Sequence, residues 1–115
     1  MSIGYVYDPM YLEHDHADHP ENSSRLTAIM DHLRQTGLLA RLRPIPAQEV
    51  TLEDLTRIHD PGYVVALRGL AEAGGGWPDS DTYANSRSFA VALRAVGGVV
   101  AATKAVLDGE VESVY

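Results

Sequence analysis

Ile3-Gly-Tyr-Val-Tyr7 is the stretch on which the fold turns. It is short, β-branched and aromatic, and it stops at Asp8-Pro9, so it reads as a buried strand. A helix is predicted next. Asn22, Ser23 or Ser24 can cap it, and Leu26, Ile29, Met30 and Leu33 recur at helical spacing on one face. Gly37 supplies a stop. Leu42-Arg-Pro-Ile45 reads as a second short strand, weakened by Pro44.

Two further helix starts follow. Thr51-Leu-Glu-Asp54 has the form of a capping box, with Asp in place of the usual Glu or Gln, and opens a short helix through Ile58. Asp60-Pro61 sets a cap and a first-turn proline ahead of Val64, Val65, Leu67 and Leu70, and Gly74-Gly75-Gly76 ends that helix. The strongest element runs from Arg87 to Leu107. Phe89, Leu93, Val96, Val100 and Leu107 form its stripe, and Gly109 ends it. Gly97-Gly98 inside it costs roughly 1–2 kcal/mol against alanine, which close packing on a neighbouring strand would explain. Val111 to Tyr115 begins a third strand. Strand, helix, strand, helices, strand is an α/β order with parallel pairing: three short strands and about four helices in one domain over residues 1–115. A parallel sheet needs both faces covered, so the sequence reads like the front of a larger, here incomplete, domain.

Composition narrows the function. The chain has 115 residues, nine Lys plus Arg against sixteen Asp plus Glu, and a net charge of −7. That balance argues against nucleic-acid binding; it suits cationic partners, and it is equally what ordinary solubility demands. With no cysteine, thiolate nucleophiles and Cys-based metal sites are excluded. No signal peptide is evident, and no stretch is read as crossing a bilayer, so a cytoplasmic location with no membrane partner is expected. A G-x-S-x-G elbow is absent, and the glycines at 74–76 lack both a P-loop lysine and dinucleotide-fingerprint spacing.

The polar stretch from Asp8 to Asn22 holds five carboxylates and three histidines, His14, His16 and His19, with no Lys or Arg. Imidazoles at this density are weak candidates for zinc ligands, because their spacing is not that of a helical pair.

Read in order, YVYDPMY, HPENSSRL, RIHDPGYVVAL, DSDTY and FAVALRAVGGVVAA resemble the N-terminal part of the histone deacetylase superfamily. The likeness is to its bacterial deacetylase-like amidohydrolases and acetylpolyamine or acetoin-utilisation types, and it covers essentially the whole chain. It implies an arginase-like α/β fold with a central parallel sheet, and a zinc-bound water that hydrolyses acetylamide bonds with a histidine pair and a tyrosine. It implies that His19-Pro20-Glu21 is a rim loop beside the substrate tunnel. Asp81 would be the rim aspartate that accepts substrate backbone N–H groups, Arg25 would lie near the inner end of the tunnel, and Tyr5 and Tyr7 would lie on the strand beneath. From the residues alone, Arg25 can equally be a surface residue, Asp81 an Asx-turn residue with Thr82, and Tyr5 and Tyr7 core.

The family's histidine dyad, zinc ligands and catalytic tyrosine have no counterpart in residues 1–115. No catalytic residue and no catalytically bound zinc is therefore expected here. The expectation is a rim-bearing segment, inactive alone, whose partners are an acetylated amine and the missing C-terminal part of the domain. Two other readings stand beside it: a non-catalytic module that forms a homodimer or binds a partner, and a small metal-binding protein built on the histidine loop.

Overall fold

The computed structural model describes residues 2–115. Three strands form a parallel sheet: β1 (Ile3–Tyr5), β2 (Arg43–Pro44) and β5 (Ser113–Val114), in the order β2-β1-β5. Gly4 lies opposite Arg43 on one side and Val114 on the other. The ladder extends past the strand ends, with Ile45 N–H donating to Tyr5 at 2.9 Å and Val6 N–H to Tyr115 at 3.0 Å. β2 is an edge strand, which is why Pro44 is tolerated: its missing N–H removes no bond that the sheet needs. β1 is shorter than the predicted Ile3–Tyr7, because Val6 and Tyr7 run on outside the strand.

Local signals set the helices. Asn22 caps α1 (Ser23–Gln35) by accepting the Ser24 N–H at 2.9 Å, and Gly37 follows it at φ +74°. Thr51 and Asp54 form the reciprocal capping box of α2 (Leu52–Thr56). That helix stops short of the predicted Ile58, whose N–H closes a turn onto Leu55 and whose side chain is exposed. Asp60 caps α3 (Pro61–Glu72) through the Gly62 and Tyr63 N–H groups. The polar stretch contains an unforeseen 3₁₀ turn, Pro9–Glu13, capped by Asp8.

A second unforeseen feature is a two-stranded antiparallel ribbon of β3 (Gly75–Gly76) and β4 (Ala84–Asn85). Gly75 sits at φ +102°, and a Cβ there would meet the Ala84 carbonyl at 2.2 Å. Only glycine fits this ribbon.

α4 (Ser88–Leu107) corrects two expectations. Its deepest face is Val91, Gly98 and Ala105, spaced by seven; the expected stripe at 89, 93, 96 and 100 is half-buried, and Leu107 is 80% exposed. At 100° per residue those two sets lie on opposite sides, so the helix is apolar nearly all round. Second, its length and composition do meet those of a membrane span, contrary to the sequence reading. Here one side packs on the sheet, where Ile45, Ala105 and Val111 form a core flanked by Val6, Ala101 and Val114. The glycines serve this approach. Gly97 carbonyl accepts the Gln48 N–H at 3.3 Å, and Gly98 lies against Val6 and Tyr11.

Candidate functional site

The site is built where the loop from Glu13 to Asn22 meets the segment from Trp77 to Ser88. Asp79 makes the turn in the second segment: its carboxylate accepts the Asp81 N–H at 2.8 Å and the Thr82 hydroxyl at 3.0 Å, which holds its pKa below the usual value. Asp79, rather than Asp81, is thus the turn-forming residue. This leaves the Asp81 side chain 92% exposed.

His19 joins the two segments across 62 residues. Its Nδ1 accepts the Glu21 N–H at 2.9 Å, so the ring proton sits on Nε2, which donates to the Asp81 carbonyl at 3.0 Å and lies 3.3 Å from the Asp81 carboxylate. Pro20 and Glu21 stand exposed beside it. Arg25 is in the first turn of α1 on the solvent side and pairs with Glu21. Tyr5 and Tyr7 are half-buried on and just after β1.

His14 and His16 belong to the same junction. The His14 ring stacks on Tyr83 at 4.5 Å and 9°, and its Nδ1 lies 2.6 Å from Ser88 Oγ. Burial lowers its pKa, against a smaller raising effect of Asp15. His16 stands edge-on to Trp77 with a buried Nδ1 that has no hydrogen-bond partner. Asp15 accepts from the Ser23 N–H and hydroxyl, which holds its pKa down. Asn85 donates to the Glu13 and Asp15 carbonyls, and Arg87 reaches the Glu13 carboxylate at 3.4 Å. The carboxylate-rich loop therefore does meet cations, all of them from elsewhere in the chain.

The three histidines do not form a ligand set. His19 has both nitrogens committed and His14 has one, and among the described residues no group of three or more His, Cys, Asp or Glu is placed to hold a metal ion. These residues do not fit a catalytic metal.

Sequence reasoning singled out His19, Glu21 and Asp81 but missed Tyr83 and Trp77, which pack on His19, and Asn85 and Ser88, which hold the neighbouring Glu13, Asp15 and His14. The one local signal was an aromatic two residues after Asp81, in DTY.

Comparison with known proteins agrees in extent. The histone deacetylase domain model matches residues 19–115. A probable deacetylase of Methanothermobacter thermautotrophicus is 36% identical over 105 residues, covering 90% of this chain and 31% of the relative. A histone deacetylase-like amidohydrolase of Pseudomonas aeruginosa is 36% identical over 112 residues, 97% of this chain and 28% of the relative. The crystal structure of the HDA15 HD domain superposes with a TM-score of 0.91 at 29% identity, over 98% of this chain and 33% of that one. The chain thus spans about a third of the length of the relatives it matches.

Proposed function

This chain belongs to the histone deacetylase family, and from that premise we propose that it supplies the substrate rim and part of the core of a deacetylase-like hydrolase. The observation that carries the reading is the Asp81 carboxylate, held into solvent by the Asp79 turn and tied to His19 of the opposite loop. An ionised, exposed carboxylate is acceptor-only and can take two N–H groups of an acylated amine or peptide backbone. His19, Pro20 and Glu21 form the facing wall. The acidic loops favour cationic substrates such as acetyl-lysine peptides or acetylpolyamines. The reaction's zinc belongs, on this reading, to residues outside 1–115, and the working enzyme is cytoplasmic.

The test combines this chain with the complementary part of a deacetylase domain and follows acetyl-lysine and acetylpolyamine turnover. The chain alone should be inactive and the combination active. Asp81→Asn should raise KM by roughly 10- to 100-fold, the loss of a charge-assisted hydrogen bond, with a smaller effect on kcat. Turnover by the chain alone, or an unchanged KM in Asp81→Asn, would overturn the proposal.

A second reading, self-association without catalysis, has its own observation. An open apolar groove of about 640 Å³ runs along α4 and β5, lined by Val6, Gly98, Val99, Ala102, Val114 and Tyr115. On this reading a second copy of the chain covers the groove.

A further inference from the structure

The two rim segments have no ladder of their own. Between Glu13 and Asn22 the backbone leaves its 3₁₀ turn and stays irregular until α1, and the segment from Trp77 to Tyr83 is likewise irregular. Something else must fix their relative position. Tyr83 is 6% exposed and lies between them. Its hydroxyl donates to the Glu21 carbonyl at 2.7 Å. Its ring stacks on His14, meets His19 edge-on at 5.0 Å and 61°, and contacts His16 at 5.4 Å and Trp77 at 6.1 Å.

We propose that Tyr83 is the positioning residue of the rim: it locks His19-Pro20-Glu21 and Asp81 into one unit that opens and closes together. The geometry requires each part of the side chain. The ring covers one side of His19, whose Nε2 then reaches Asp81, and the hydroxyl fixes the carbonyl two residues further on. Burial, then Asp15 and Glu21, raise the phenol's pKa, so it remains a donor through the neutral range. Tyr83 touches no reacting group; it acts through His19 and Asp81. The relevance to substrate rests on the rim reading above, whereas the lock itself does not.

The lock is tested on the 115-residue chain. In the wild type, the hydrogen-bonded amides of Glu21 and Asp81 should exchange with solvent deuterium at one shared opening rate; independent rates would overturn the lock without any variant. Tyr83→Phe keeps the ring and removes the hydroxyl. It should speed exchange at His19, Glu21 and Asp81 about tenfold, as expected for one lost hydrogen bond, and leave β1 and α4 amides unchanged. The emission of Trp77, the sole tryptophan, should shift as its packing loosens, and the ¹⁵N signal of His19 should lose its single-tautomer pattern. Unchanged loop exchange, equal acceleration of α4, or failure of Tyr83→Phe to fold would each make Tyr83 an ordinary core residue. In the reconstituted enzyme, Tyr83→Phe should raise KM with kcat nearly constant. An inactive wild-type combination would remove the rim reading and leave the exchange result standing.

Discussion

A methyl group added at position 97 would stand 1.8 Å from the Gln48 carbonyl oxygen, and its three nearest neighbours are all Gln48 backbone atoms rather than a side chain free to move aside. Gly97→Ala should therefore destabilise the chain by about 2–3 kcal/mol or more, read from urea unfolding, as overpacking against an unyielding neighbour does. Gly69 is the contrast. It lies inside α3 with nothing within 4 Å of an added Cβ, so Gly69→Ala should stabilise by about 0.5–1 kcal/mol in the same assay. His14 sets a pH dependence at the same scale. Burial holds its folded-state pKa below 6.5, so below pH 6.5 the unfolded chain binds a proton that the folded chain refuses. Stability should fall as pH drops from 6.5 to the lowered folded value, and His14→Phe, which keeps a ring on Tyr83, should flatten that fall. Asp15, Asp54 and Asp79, whose pKa values are lowered by hydrogen bonds, contribute in a separate and lower window: present above 3.8, lost as pH falls through their folded values.

At the scale of elements, what was legible was local. Asn22, Thr51 with Asp54, and Asp60 with Pro61 each act within three residues, and each caps the helix that it announces. Asp60→Ala should cost about 1 kcal/mol, seen as a lower unfolding midpoint and faster exchange at Gly62 and Tyr63. What was not legible depends on partners far away. Gly75-Gly76 has no strand propensity, and it pairs only because Ala84-Asn85 returns beside it. The α4 stripe misled because the largest apolar residues mark one side, whereas the side turned inward carries Val91, Gly98 and Ala105, where a glycine at 98 leaves room for the Val6 and Tyr11 side chains. The junction of the two loops was half legible for the same reason. His19 and Asp81 stand in recognisable motifs, whereas Tyr83 is recognisable only once 62 residues of separation have been folded away.

The whole molecule is thin. It measures 43 × 33 × 19 Å with a radius of gyration of 15.7 Å, against about 13 Å for a compact chain near this length. Its accessible surface is 7564 Å², where a monomer of 12.5 kDa would expose about 6,200 Å². The excess, about 1,400 Å², is more than the ~800 Å² that one partner contributes to a standard interface. It is apolar on α4, where Val99 is 67% and Leu107 80% exposed, and at Tyr115, 73% exposed. The isolated chain should therefore bind a hydrophobic dye and self-associate with concentration in light scattering. Val99→Lys with Leu107→Lys should suppress both while leaving the helical circular dichroism intact.

The order β2-β1-β5 has a temporal side. The central strand is the first to be made, while one flank is completed by Ser113, 110 residues behind Ile3. At about 5–20 residues per second, a ribosome leaves that flank vacant for roughly 5–20 s. During that interval the nascent segment carries an open strand edge, a surface that pairs readily with another chain until Ser113-Val114 arrives.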